Sequence, residues 1–358
     1  MTGVGTYTFN LINELTRQIP HENLFLIDYC QQRQYSELNY IFIAPWVKHL
    51  PKKSYIWHLY SQLELKYNHF DIDIIHSPEN DTLPIKLENQ KKIITVHDIR
   101  QQIYPEMNRG TIQSHLLLPN NLKTSDKIIT VSNSTKNDLI KHLNVPSEKI
   151  SVIYEAADPI YCPLSLEVVD RFKHNNEITG PYIMYVGNFA KHKNIVTLLN
   201  AFYNLKKRNI PHKLVLIGMK RWEYTKLMNI IQAYNLESTV ILPGYIAKSE
   251  MPILYSGADL FVYPSLYEGF GLPPLEAMAC GCPVITSNTS SLPEVVGDAG
   301  IMVDPLNVQE LANRMYDVLT DDGLQQEMRR KGLDRAKLFS WKKCAKETLQ
   351  VYEQCLEC

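Results

Sequence analysis

No run of 18 apolar residues occurs in these 358 residues, so no segment is built to cross a bilayer as a helix. The N-terminus also lacks the basic n-region and apolar h-region of a secretory leader. A cytoplasmic chain, or one peripheral at the inner face of a membrane, is expected. An excess of one charge is missing as well. With 37 Lys and Arg against 38 Asp and Glu, the formal net charge is −1, and no global basic field points to nucleic acid. Local runs such as Lys206-Lys207-Arg208 read as solvated helix ends. The seven cysteines are odd in number and scattered at 30, 162, 280, 282, 344, 355 and 358. No second pair completes a metal spacing, which implies a reduced compartment without structural disulfides. Cys280 and Cys282, either side of Gly281, read as small packing residues, and Cys355 and Cys358 as surface thiols at a fraying end. No Asp-x-Asp-like cluster stands at the carboxyl end of an expected strand to hold magnesium, so no metal is expected. Internal repeats of short period and low-complexity tracts are absent too. What remains is ordinary globular composition, 45% hydrophobic and 21% charged, in a chain long enough for two cores.

The most informative stretch that is present runs from 268 to 297, EGFGLPPLEAMACGCPVITSNTSSLPEVVG. Gly269 and Gly271 leave peptide groups uncovered, so a sugar or phosphate can approach the main chain closely. Pro273 and Pro274 suit a first helical turn, where a missing N–H is no loss, and LEAMA continues with good helix formers. Glu276 is therefore placed near a helix start, and Glu268 before the turn. Two carboxylates on different backbone elements can face one ligand, one reaching a sugar ring and the other a ribose.

Apolar runs of four to six residues alternate with longer amphipathic segments, the mark of parallel α/β units, and the alternation occurs twice. In the first half the expected strands are Leu24 to Tyr29, Tyr40 to Ile43, Ile72 to His76, Lys92 to His97, Lys127 to Val131 and Ile150 to Tyr154. In the second they are Tyr182 to Val186, Lys213 to Ile217, Thr239 to Leu242, Leu260 to Tyr263, Pro283 to Thr286 and Ile301 to Val303. The proline-bearing stretch 155–181 reads as the join. Ligands of open parallel sheets bind beyond the carboxyl ends of the strands, so two such domains are expected to face a central cleft. His97 with Asp98, Gly187, Gly218 and the 268–276 segment all follow strand ends.

Lys193 follows the Gly187 turn and is expected to open a helix, which would set an ammonium beside a diphosphate leaving group; the alternative is a solvated first-turn lysine. His97 could hold a sugar hydroxyl or a developing positive charge, or be a strand-end histidine satisfied by loop backbone. Ser132 and Ser134 are explained by capping the following helix, and Glu294 is either a helix-start carboxylate or a weaker donor-site candidate. Gly3 and Gly5, in MTGVGTYTFNLINEL, read as a glycine loop leading into a helix, a weak signal when alone.

The pair Glu268 and Glu276, embedded in SLYEGFGLPPLEAMACGCPVI, resembles the signature of the family 4 glycosyltransferases, retaining enzymes of the GT-B fold with two doubly wound Rossmann-like domains. YVGNFAKHKN, VLIG, MPILYSGADLFVYPS, SLPEVVGDAG and FSWKKCAKETLQVYE extend the likeness in order, and TGVGTY, TVHDI and ITVSNST carry a weaker one through the first half. The resemblance implies an acceptor-side domain over 1–165, a nucleotide-sugar domain over 166–339, and a helix over 340–358 that crosses back to the first domain. It implies catalytic roles for His97 and Glu268. It assigns donor binding to Gly3, Gly5, Gly187, Lys193, Gly218, Gly269, Phe270, Gly271 and Glu276, with no metal or cofactor beyond a nucleoside diphosphate sugar. Two departures stand out. An arginine that commonly accompanies the lysine is replaced by Asn188 or His192, and Lys191 cannot reproduce a bidentate guanidinium. The strand expected before the glycine loop is also missing from the sequence, and losing its buried residues would remove on the order of 8 to 10 kcal/mol. A misassigned start or truncated gene is expected on that ground, and an in-frame upstream segment of apolar strand type would support it.

The TVHDI and PHKN-like contexts are closest to mannosyltransferase-like members of surface polysaccharide assembly. The expected activity is therefore hexose transfer from GDP-mannose, as first donor, to a saccharide or lipid-linked acceptor. The alternatives are a nucleotide-sugar epimerase-like enzyme using the glutamates as acid and base, and a truncated inactive subunit that only binds.

Overall fold

A computed structural model describes residues 3–28, 39–42, 72–80, 90–105, 112–175, 178, 180–219, 224–244 and 246–357. By internal contact the chain divides into two compact units, residues 1–154 with 341–358, and residues 155–340. Among the described residues, the first unit carries two parallel sheets and the second carries one, each with helices.

In the first unit β1 (Phe25–Asp28) pairs with β2 (Asn39–Phe42). A separate sheet holds β3 (Ile74–Ser77), β4 (Lys91–Val96), β5 (Lys127–Thr130) and β6 (Ile150–Val152) in sequential order. All its pairings are parallel, with Ile94 opposite Ile128 and Ile128 opposite Ile150. Burial on both faces explains why these strands are nearly continuous apolar runs. Ile94, Val96, Ile128 and Ile150 pack with Leu118, Leu122 and Leu139 from the intervening helices. The helix Asn133–Leu143 is capped by Ser132, whose Oγ accepts from the Thr135 N–H at 3.0 Å, so capping does account for that serine.

The helix Gly3–Leu15 buries Tyr7, Leu11 and Leu15, one face at a spacing of four. The glycines expected in a loop thus lie in its first turn, a correction to the sequence reading. A first turn tolerates glycine because its N–H groups lack intrahelical partners in any case. This helix packs against Trp341–Glu357, which buries Trp341, Cys344, Ala345, Thr348, Val351 and Cys355 along one stripe. Cys355 is therefore no surface thiol: helical order persists past it and sets it one turn beyond Val351 on the buried face. Cys30 and Cys358 lie outside the described residues.

The second unit holds β7 (Tyr182–Val186), β8 (Lys213–Ile217), β9 (Val240–Ile241), β10 (Leu260–Tyr263), β11 (Val284–Ser287) and β12 (Ile301–Val303). Their order across the sheet is β12-β11-β10-β7-β8-β9, every pairing parallel. Counted within the unit, this is the doubly wound order in which the winding reverses between the first and fourth strands, here β7 and β10. The reversal sets the connections after these two strands on opposite faces and opens a crevice at their carboxyl ends. Helix Ile195–Lys206 buries Leu198, Leu199, Ala201, Phe202 and Leu205 and packs against Val308–Thr320. Each leucine and the phenylalanine contributes about 1.5–3 kcal/mol of burial. The expected join contains the helix Leu166–Asn175.

Candidate functional site

The winding reversal brings two short connections together. After β7 the chain runs through a single 3₁₀ turn, Lys191–Lys193, and only then into Ile195–Lys206. Lys193 therefore ends a turn rather than opening the helix, because Asn194 adopts the left-handed conformation at φ 56° and breaks the run. The Asn194 amide donates to the carbonyls of Pro264 at 3.1 Å and Pro305 at 2.7 Å, tying this turn to the one after β10. A second tie runs from the Leu266 N–H to the His192 carbonyl, 2.7 Å.

Lys193 is turned inward by these constraints. Its Nζ lies 2.6 Å from Glu268 Oε1 and donates to the Tyr263 hydroxyl at 2.6 Å, with about a tenth of either charged side chain exposed. Burial pushes the Glu268 carboxyl up, but the Lys193 ammonium and its hydrogen bond outweigh that and hold it below the usual carboxylate range. Glu268 is thus a carboxylate acceptor and cannot serve as a general acid at neutral pH. Tyr263 and Tyr185 stack at 5.9 Å, and burial keeps both phenols neutral.

The glycine-rich turn is held by the polar segment after β11. Glu268 N–H donates to Ser290 Oγ at 2.9 Å, Ser291 Oγ donates to the Phe270 carbonyl at 2.6 Å, and Ser287 Oγ to that of Ser265 at 2.6 Å. Gly271, at φ 119°, precedes the helix Leu272–Ala279. A side chain there would require the left-handed region and would meet Leu292 Cδ2 at 2.9 Å. Phe270 is buried, its ring edge-on to Phe339 at 5.8 Å.

Glu276 is the fifth residue of that helix, farther from its start than the sequence reading placed it. It accepts from the Tyr255 hydroxyl at 3.0 Å, and the Tyr161 hydroxyl faces it as a second favourable dipole. Burial pushes its carboxyl up to about 7 against the lowering effect of those two donors and of Lys248, while Asp158 adds to the rise. The two motif glutamates therefore sit in opposite electrostatic settings.

Residues 167–335 match the sequence profile of the glycosyl transferases group 1, and residues 1–160 that of glycosyltransferase family 4. The chain is 35% identical over 285 residues to the O-antigen chain mannosyltransferase B of Escherichia coli, covering 78% of this chain and 74% of that protein. The chain belongs to the GT-B glycosyltransferases. Its fold matches sucrose-phosphate synthase from Thermosynechococcus elongatus with a TM-score of 0.82 at 22% identity, over 99% of this chain and 93% of the other. It also matches Anabaena Alr3699/HepE, a structure in complex with UDP, with a TM-score of 0.80 at 17% identity, over 99% and 96% of the two chains.

Of the residues expected to act in this glycosyltransferase, Glu268 and Lys193 are in direct contact, and Gly269, Phe270 and Gly271 form the turn beside them. Gly187 ends β7 at the same winding reversal. Gly218 has a packing explanation: a Cβ there would stand 1.8 Å from the Gly187 carbonyl oxygen. His97 directly follows β4 in the other unit, where Nε2 meets the Pro78 carbonyl at 2.9 Å and the ring meets Tyr7 edge-on at 4.9 Å. A carbonyl oxygen only accepts, so Nε2 is the donor in this contact. The backbone-satisfied alternative is thereby present in the geometry. Gly3 and Gly5 stand at the start of the first helix of that unit. Glu294 is in the first turn of Leu292–Val296. Among the described residues no group of three His, Cys, Asp or Glu could hold a metal ion, and no helix is long and apolar enough to cross a membrane.

Sequence reasoning missed Tyr263, Tyr255, Tyr161 and the serines that fasten the glycine turn. The run SNTSS at the end of an apolar strand was the available signal, since five small hydroxyl or amide residues there are suited to holding backbone. The tyrosines sit inside apolar runs and read simply as core.

Proposed function

We propose that this glycosyltransferase moves a hexose from a nucleoside diphosphate sugar to a saccharide or lipid-linked acceptor in surface polysaccharide synthesis. The mannosyltransferase relative favours mannose, and GDP-mannose is the first donor to test. The observation that carries the reading is the Lys193, Glu268 and Tyr263 cluster at the carboxyl ends of β7 and β10. Ligands of doubly wound sheets bind at that reversal.

In this reading the donor diphosphate takes up the Lys193 ammonium, which is fixed on one side by Tyr263 and Glu268. The ammonium stabilises the negative charge that grows on the leaving diphosphate as the anomeric bond breaks. Glu268, held as a carboxylate, accepts hydrogen bonds from donor-sugar hydroxyls, and Glu276 accepts from the ribose. Gly187 leaves the backbone after β7 uncovered for the phosphates. Retention at the anomeric carbon is the stereochemistry of the family the sequence resembles.

Turnover with a panel of GDP- and UDP-sugars, with and without saccharide and lipid-linked acceptors, tests the reading. Nucleotide release that requires an acceptor is expected, and Glu268→Gln should lower kcat/KM by about 10²-fold or more, the size of one transition-state hydrogen-bond group. Transfer by Glu268→Gln at the parent rate would overturn the role given to this carboxylate. Sugar isomerisation, or hydrolysis without acceptor, would overturn transfer itself.

A further inference from the structure

Glu276 is surrounded by a cluster that the transfer reading leaves unused. Tyr255, from the helix Met251–Gly257, places its hydroxyl 3.0 Å from Glu276 Oε2. Tyr161, from the preceding connection, packs edge-on against the Tyr255 ring at 5.8 Å, and its hydroxyl lowers the carboxyl's pKa. Behind them Tyr255 meets Phe261 at 5.5 Å, Phe261 stacks on Tyr263 at 5.8 Å, and Tyr263 carries the hydroxyl that receives Lys193. A continuous aromatic row on β10 and its neighbours thus ends in a hydroxyl at each glutamate. Tyr255 has no room to swing away, being fully buried.

We propose that Tyr255 is the positioning residue for Glu276, fixing its carboxylate and holding it in the charged form that accepts from the donor ribose. This rests on the assignment of Glu276 to the ribose. A ribose diol donates two hydrogen bonds, which a carboxylate accepts on two oxygens; a protonated carboxyl presents one donor in place of part of that capacity. The groups facing Glu276 are Tyr255, Tyr161, Lys248, Asp158 and Cys280, and Lys248 is itself paired with Asp158 at 2.6 Å. Hydroxyl donation favours the charged carboxylate, so removing the Tyr255 hydroxyl raises the Glu276 pKa further above about 7. The sign follows. Ribose binding is strongest above the Glu276 pKa and is lost below it, and Tyr255→Phe moves that midpoint upward.

The test is calorimetric titration of the full chain with GDP-mannose and UDP-glucose, without acceptor, between pH 6 and 9. A nucleoside diphosphate sugar is chosen because its diphosphate has no ionisation near neutrality, unlike a free nucleotide. Tyr255→Phe is expected to weaken binding by about tenfold at pH 7, a loss of about 1.4 kcal/mol for one hydrogen bond, with an upward shift in the midpoint of affinity against pH. Tyr161→Phe should shift the midpoint in the same direction. Circular dichroism and thermal unfolding identify a variant that has lost its fold, and then Tyr161→Phe alone carries the test. Unchanged affinity and midpoint in both folded variants would overturn the inference. Glu276→Gln separates the two levels: if it binds the parent's ligand as tightly and with the same pH profile, the ribose assignment fails. If Glu276→Gln abolishes the pH dependence while the tyrosine variants match the parent, only the positioning role fails.

Discussion

The Lys193 and Glu268 pair is buried enough that neither partner is expected to tolerate loss of the other. An unpaired charge left in such a place destabilises by about 3–5 kcal/mol. Lys193→Met should therefore reduce stability by that order in urea unfolding at pH 7, apart from its effect on catalysis. Lys193→Met with Glu268→Gln should recover much of it, because no bare charge remains; additive losses in the double variant would refute the coupling. A second residue-scale expectation concerns His76, whose Nδ1 lies 2.7 Å from the Tyr352 hydroxyl and Nε2 2.8 Å from Thr95 Oγ1. Burial first, and the charge of His97 second, lower its pKa from 6.5 to about 3. A neutral buried base whose folded pKa lies below its unfolded value contributes stability above about pH 6.5. That stability is lost as pH falls toward 3, with a slope of up to about 1.4 kcal/mol per pH unit. Unfolding of the first unit measured between pH 7 and 4 should show this slope, and His76→Gln should flatten it. An equal slope in the variant would place the acid sensitivity elsewhere.

At the scale of elements, strands were the legible part of the sequence. Tyr182–Val186, Lys213–Ile217, Leu260–Tyr263 and Ile301–Val303 coincide with their expected bounds, because both faces of a central parallel strand are apolar and its ends are marked by polar or glycine residues. Strand order and contacts of long sequence separation were not legible. Nothing local to Lys193 says that it meets a carboxylate 75 residues away; only the β7 and β10 adjacency brings them together. The left-handed Asn194 likewise turned an expected helix-opening lysine into the end of a 3₁₀ turn. Gly218 gives an element-scale prediction. Because a methyl group at this position would overlap the Gly187 carbonyl, Gly218→Ala must force β8's exit away from that of β7. A loss of about 1–3 kcal/mol, typical of overpacking, is expected, with weakened nucleotide-sugar binding because Gly187 moves. Parent-like stability and binding would show that the two exits are slack.

For the whole molecule, the helix Trp341–Glu357 follows the second unit in sequence yet packs within the first. Deleting 341–358 should expose the partners of Trp341, Val351 and Tyr352 and selectively loosen the first unit. Hydrogen exchange is expected to accelerate in β3 and β4 while β7, β8 and β10 keep their protection. Uniform acceleration in both units would show that their stabilities are not separable. Family membership and two-domain organisation could be read from motif order along the chain, since each motif stands at a strand end and the strands recur in a fixed sequence.

That same helix orders events during synthesis. The first unit begins to emerge from the ribosome before the second, yet the helix that completes its core is made only after all of residues 155–340. The later unit therefore has every one of its own elements in hand first. Until the helix arrives, His76 and Tyr7 are without the Tyr352 and Trp341 partners that it supplies.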